Sequence, residues 1–120
     1  MKKILIIGGG AMGSAFTIPC LDNGNSVTIT EPYSSRFIKN LSSKNKFHSA
    51  LKINLPKKLK FGKFSSELFK EKFDLIVIAL SLSGIDFIGK ELMKSKVRTP
   101  ILVLTKGLKC QKKTKKIFTI

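Results

Sequence analysis

Lys3-Ile4-Leu5-Ile6-Ile7-Gly8-Gly9-Gly10-Ala11-Met12-Gly13 decides how this chain is read, because an apolar run opens directly into glycines spaced Gly8-x-Gly10-x-x-Gly13. A short, continuous run rich in β-branched residues suits a parallel strand buried on both faces. The glycines then have separate tasks in a strand-to-helix turn. Gly8 permits the tight turn, Gly10 removes a Cβ where backbone must approach a pyrophosphate, and Gly13 lets the helix lie close on the strand. Free N–H groups at the start of that helix, with the helix dipole behind them, favour an anion. A second strand, Val27 to Thr30, ends on Glu31, 18 residues past Gly13, where a dinucleotide site places an acidic residue. The pattern implies a dinucleotide ligand.

Working outward, strand and helix signals alternate. Ala11 to Leu21 reads as a helix stopped by Asp22-Asn23-Gly24, with Pro19 inside it removing one hydrogen bond or kinking it. Pro32 ends the second strand. Ser34 or Ser35 caps a helix in which Phe37, Ile38 and Leu41 share a buried face. The polar stretch Ser42 to Lys58, broken by Pro56, carries no assignable pattern. Leu59 to Phe61 reads as a short strand, Ser66 to Lys72 as a short helix, and Leu75 to Leu80 as a buried strand. Ser83 to Lys96 is helix-like with Ile85, Ile88 and Leu92 on one side, and Ile101 to Leu104 is the last strand before Thr105-Lys106-Gly107. Alternation of this kind predicts an α/β fold: a Rossmann-type, doubly wound parallel sheet with right-handed crossovers, ending after about five strands. Ligands of such sheets lie beyond the carboxyl ends of the strands. Those ends are Gly8 to Gly13, Glu31, Leu80 to Ser83, and Thr105 to Gly107, so Ser81 and Lys106 join the candidate site.

The 120 residues make one domain, able to bury roughly two-thirds of its unfolded surface. No apolar run approaches the roughly 20 residues of a membrane span, and the first is too short and too glycine-punctuated for a signal peptide, so a cytoplasmic location is expected. Cys20 and Cys110 have neither a Cys-x-x-Cys partner nor neighbouring histidines, so both read as reduced small hydrophobes, and no metal site is expected. His48, in the polar stretch, reads as a solvated loop residue. A net charge of +16 invites a nucleic-acid reading. Of 23 basic residues, however, only Arg36 and Arg98 are arginine, and the lysines are scattered through every segment; they read as a solvated coat. No nucleic-acid partner is expected.

The run Gly8 to Phe16, then Ile18-Pro19-Cys20-Leu21-Asp22-Asn23-Gly24-Asn25-Ser26-Val27, and finally Thr105-Lys106-Gly107-Leu108, resembles the nucleotide-binding half of NAD(P)-dependent glycerol-3-phosphate dehydrogenases, above all archaeal-type members. The resemblance covers essentially the whole chain. It implies hydride transfer between a nicotinamide cofactor and dihydroxyacetone phosphate, interconverted with sn-glycerol 3-phosphate for lipid synthesis or glycerol metabolism. Beside the cofactor-binding candidates Gly8, Gly10, Ala11, Met12, Gly13 and Ser81, it gives Lys106 a catalytic place next to the nicotinamide, where it would stabilise charge on the ketone oxygen. Many bacterial members resembling this chain have tryptophan at Met12 and arginine at Pro32. Glu31 stands where it would accept from the ribose hydroxyls of NAD and repel the extra phosphate of NADP, which favours NAD. Arg36, with Ser34 and Ser35, offers the alternative cradle for NADP.

Members of that family carry a second, helical domain with the proton-donating lysine and the groups that grip the substrate phosphate. The 120 residues contain only the first domain, 1–120, so no turnover is expected from them alone, and exposed interdomain surface is expected. A homodimer is the association the resemblance allows. Two other readings share the glycine turn: a ketopantoate reductase-like fragment, against which Thr105-Lys106-Gly107 argues, and a stand-alone NAD(H)-binding regulatory module.

Overall fold

In a computed structural model, residues 1–43, 45–95 and 98–104 are described. The opening run forms β1 (Lys3–Ile7), and the residues after its glycines wind into α1 (Ala11–Asp22). There follow β2 (Ser26–Thr30), α2 (Ser35–Ser42), a hairpin of β3 (Phe47–His48) and β4 (Ile53–Asn54), and β5 (Lys60–Phe61). A 3₁₀ turn at Ser66–Lys70, β6 (Leu75–Ile78), α3 (Leu82–Lys94) and β7 (Ile101–Val103) complete the order. The expected α/β sheet is present: five strands in the order β5-β2-β1-β6-β7, every neighbouring pair parallel. The chain winds outward from β1 to β5, then crosses back to β6 on the other side of β1. The reversal point therefore lies between β1 and β6, where a crevice opens at the strands' carboxyl ends.

Alternation along the strands divides the core into two layers. Ile4, Ile6, Val27, Ile29 and Val77 pack with Cys20 of α1 and Leu41 of α2 on one face. Leu5, Ile7, Ile76 and Ile78 pack with Ile88 and Leu92 of α3 on the other. Both faces are covered, which explains why β1 and β6 read as unbroken apolar runs. Cys20 is buried, and burial pushes its thiol above the ordinary range, so it behaves as a small hydrophobe. Cys110 lies outside the described residues.

Local rules account for the helix ends. Gly24, at φ +82°, closes α1 while Asn23 and Gly24 return N–H groups to Pro19 and Leu21. Pro19 sits inside α1 with an exposed side chain, as does Ala15 four residues earlier, so the carbonyl that Pro19 cannot serve lies on the wet side. Ser34 Oγ accepts the Phe37 N–H and caps α2. On α2 only Leu41 is buried; Ile38, expected on the same face, is exposed. Ser66–Lys70 is a 3₁₀ turn shorter than the helix the spacing suggested.

The sharpest correction concerns the polar stretch. Ser42 to Lys58 contains the antiparallel β3-β4 hairpin, with His48 opposite Ile53, and His48 is fully buried instead of solvated. Its ring finds partners on α2 and on the glycine turn, contacts invisible to local pattern.

Gly89 gives a first prediction. It lies inside α3, and a Cβ there would meet nothing within 4 Å. Gly89→Ala is expected to stabilise the chain by about 0.5–1 kcal/mol, because glycine wastes backbone entropy in a helix. A urea melt checks it: a midpoint equal to or below that of the unaltered chain would contradict the open space seen there.

Candidate functional site

The turn between β1 and α1 is built by close approach. Gly8 has φ +127°, and a Cβ on it would lie 2.3 Å from the Ala79 carbonyl oxygen. A Cβ on Gly13 would lie 2.1 Å from the Gly8 carbonyl oxygen. Neither position admits a side chain, in agreement with the tight turn and close helix-on-strand packing read from the spacing. Gly9, outside that spacing, is crowded by side chains instead of backbone: its Cβ would come within 2.8 Å of the Leu41 methyl and 3.3 Å of Glu31. At Gly10 a Cβ would stand 3.3 Å from the Phe37 ring.

The first bond of the helix runs from Ser14 N–H to Gly10 C=O at 3.0 Å, so the N–H groups of Ala11, Met12 and Gly13 precede the helical ladder. Donors in that position, at the positive end of a helix dipole, suit a phosphate. Beside them lies a groove of about 220 Å³ lined by Gly10, Ala11, Met12, Ala79, Leu80, Ser81 and Leu104. It sits at the carboxyl ends of β1, β6 and β7, at the reversal point of the sheet. Gly10, Ala11, Met12 and Ser81, named from sequence, are thus brought together there, with Gly8 and Gly13 shaping the turn beneath.

Glu31 is in place at the end of β2, and its carboxylate turns inward. The residue is 5% exposed. Its Oε1 accepts the Gly9 N–H at 2.6 Å, and its Oε2 accepts those of Tyr33 and Ser34 at 2.8 Å each. Three backbone donors hold the charge that the sequence reading assigned to a ribose. The Tyr33 phenol is pushed above its ordinary range by burial and then by the Glu31 charge; it stays a neutral hydroxyl that reaches the Gly84 carbonyl at 3.5 Å. Arg36 is exposed in the first turn of α2, its guanidinium 5.0 Å from the Phe37 ring centre. Lys106 and the Thr105-Lys106-Gly107 turn lie outside the described residues.

Two groups escaped the sequence reading. Ser14 Oγ donates to the Gly9 carbonyl at 3.1 Å, and His48 Nε2 lies 2.7 Å from the same oxygen. A serine in the first turn of a helix is an ordinary sight, and a lone histidine among polar residues gives no periodic signal. Among the described residues no group of three His, Cys, Asp or Glu side chains is arranged to hold a metal, and no helix is long and apolar enough to cross a membrane.

A doubly wound parallel sheet, a glycine turn that excludes side chains and a groove at the reversal point define a dinucleotide-binding domain. The chain belongs to the family described as the N-terminus of NAD-dependent glycerol-3-phosphate dehydrogenase, which matches residues 3–120. It is 29% identical over 107 residues to the NADP(+)-dependent glycerol-3-phosphate dehydrogenase of Archaeoglobus fulgidus, a match covering 88% of this chain and 31% of that relative. The chain thus spans about a third of the relative's length. Among solved structures it is similar to a putative 2-dehydropantoate 2-reductase from Enterococcus faecalis, with a TM-score of 0.62, 26% identity, and 88% of this chain and 34% of that one covered. A D-mandelate dehydrogenase with NADH and anilino(oxo)acetate superposes with a TM-score of 0.62 at 22% identity, covering 90% of this chain and 35% of that one, a likeness of fold.

Proposed function

We propose that this chain is the cofactor-binding domain of a glycerol-3-phosphate dehydrogenase, holding NAD or NADP for the interconversion of dihydroxyacetone phosphate and sn-glycerol 3-phosphate. The observation that carries the proposal is the family match over residues 3–120 on a chain whose glycine turn opens into a groove at the reversal point. Bound there, the nicotinamide would supply the hydride chemistry for reducing the ketone carbon, and a proton for the oxygen would have to come from a neighbouring group. The N–H groups of Ala11, Met12 and Gly13 bind the pyrophosphate, and the groove orients the rest of the cofactor. Lys106, by the family resemblance, stabilises charge on the substrate oxygen. A phosphorylated substrate and a nicotinamide cofactor suit a cytoplasmic reaction. The helical substrate domain is part of the same proposal, since the relative is about three times as long.

The cofactor choice turns on Glu31 and Arg36. A carboxylate buried on three backbone amides presents little charge at the ribose 2′ position, which removes much of the repulsion expected against NADP. Arg36, exposed five residues on, supplies a cation for a 2′-phosphate. Fluorescence titration of the chain is expected to show saturable binding of both NADH and NADPH. Arg36→Ala should weaken NADPH about tenfold, the worth of one charge-assisted contact, and leave NADH within about twofold. Failure of both dinucleotides to bind would overturn the function proposed; equal effects of Arg36→Ala on both would overturn the role of Arg36. The 120 residues alone are expected to give no substrate-dependent oxidation of NADH, because half a cleft cannot hold the ketone against the nicotinamide. Measurable turnover would refute that.

A further inference from the structure

We propose that His48 is a positioning residue of the dinucleotide site, holding the Gly9–Gly10 peptide in its binding orientation as a neutral Nε2–H donor. The inference deepens the function proposed above and rests on it.

The geometry of His48 defines its protonation pattern. The ring is fully buried and stacks on Phe37, centroids 5.4 Å apart and planes 20° from parallel. Nε2 lies 2.7 Å from the Gly9 carbonyl oxygen, which only accepts, so Nε2 carries the proton. Nδ1 receives the Leu51 N–H at 3.3 Å, so Nδ1 is bare. The two contacts together select one tautomer of the neutral imidazole. An imidazolium would set its second N–H against the Leu51 N–H.

The device is built from a segment remote from the turn. His48 is 39 residues from Gly9 and arrives on the β3-β4 hairpin. The hairpin is shaped to deliver it: Lys46 and Lys52 both adopt left-handed backbone, with φ of 51° and 56°, and Lys52 N–H closes on the His48 carbonyl at 2.7 Å. Left-handed lysines cost conformational energy that the rest of the fold must offset, which marks the segment as specified for its shape. Lys46 is anchored further, its Nζ donating to the carbonyls of Lys57 and Leu59.

The consequence for a ligand follows from peptide planarity. The described chain contains no cis peptide, so the Gly9 C=O and the Gly10 N–H point in opposite directions across one rigid plane. A ring that pins the Gly9 carbonyl therefore also aims the Gly10 N–H, and Gly10 lines the groove. The N–H of Gly9 is held on its other side by Glu31, at 2.6 Å. His48 thus completes a two-sided clamp on a glycine that has no side chain to orient it. Ser14 Oγ backs the same carbonyl at 3.1 Å, a weaker hold that persists when His48 is changed.

Two measurements test the assignment. In a long-range ¹H–¹⁵N spectrum of the unaltered chain near neutral pH, His48 is expected as the neutral tautomer with Nε2 protonated and Nδ1 bare; a protonated Nδ1 would overturn the inference. NADH is then titrated against His48→Gln and His48→Leu, each confirmed folded by circular dichroism at the assay temperature. Glutamine keeps an N–H donor near the Nε2 position and should bind within about threefold of the unaltered chain, whereas leucine fills space without donating and should bind about tenfold more weakly. A filler role alone would make both variants behave alike, so equal affinities across the three proteins would overturn the inference. Absence of NADH and NADPH binding by the unaltered chain would instead overturn the function on which it rests. If His48→Leu does not fold, loss of binding in folded His48→Gln would likewise count against the donor role.

Discussion

Gly13→Ala is expected to destabilise this chain by about 3 kcal/mol or more and to abolish dinucleotide binding. The added Cβ would sit 2.1 Å from the Gly8 carbonyl oxygen and 3.2 Å from Ala79 Cβ. Relief requires that oxygen to move, and it is the least movable atom of the turn. It shares a peptide plane with the Gly9 N–H, which Glu31 holds at 2.6 Å, and the preceding Gly8 N–H donates to Thr30 at 2.8 Å. Shifting Gly8 breaks the join of β1 to β2; shifting α1 outward opens the contact that aims its N-terminal donors. Either way the site is lost with the stability. Thermal melting should show a fall of about 10 °C or more for a domain of this size. Gly89→Ala is the matched control, since the same chemical change in open space is expected to stabilise. A Gly13→Ala chain melting with the unaltered protein and binding NADH normally would mean that the helix does not lie on the turn as described.

The difference between what could and could not be read in advance follows physical lines. β1 and β6 were legible because burial on both faces leaves a continuous apolar run, β2 because its β-branched residues suit a strand, and the order of glycine, helix and acidic strand end follows from local stereochemistry. That strand ends meet at one crevice is a topological consequence of alternating elements, and the groove beside Gly10, Met12 and Ser81 lies at the ends of three of the four strands so read, β1, β6 and β7. The β3-β4 hairpin was not legible, because two-residue strands carry no period and their pairing is fixed by left-handed lysines that sequence gives no reason to expect. His48 was misread for the same reason: its burial is created by Phe37 and Gly9, neither of them near in sequence. At Glu31 the position was legible and the direction was not. Whether an acidic side chain at a strand end faces a ligand or its own backbone depends on which N–H groups the next turn leaves unpaired, and here Tyr33 and Ser34 leave two.

Glu31→Ala is expected to be nearly as damaging as Gly13→Ala, and in a way that separates a structural carboxylate from a ligand-facing one. If the side chain served only a ribose, its removal would leave melting unchanged and weaken nucleotide alone. The observed carboxylate instead ties the β1-α1 turn to the β2-α2 turn through Gly9, Tyr33 and Ser34. Bonds to a charged acceptor contribute about 1.5–3 kcal/mol each, and the buried Gly9 N–H would lose its partner outright, while water replaces part of what Tyr33 and Ser34 lose. A net cost of about 3 kcal/mol follows, visible without any nucleotide present. Glu31→Gln sharpens the argument. Its amide keeps one oxygen and turns an NH₂ toward the remaining backbone donors, so it satisfies either Gly9 or the Tyr33 and Ser34 pair but not both. An intermediate loss of about 2 kcal/mol is expected, with nucleotide binding weakened in step because the Gly9 peptide is held from one side only. Urea melts of both variants without ligand decide the matter: unchanged midpoints would return Glu31 to the ribose, and graded losses would establish it as the tie that holds the phosphate turn in shape.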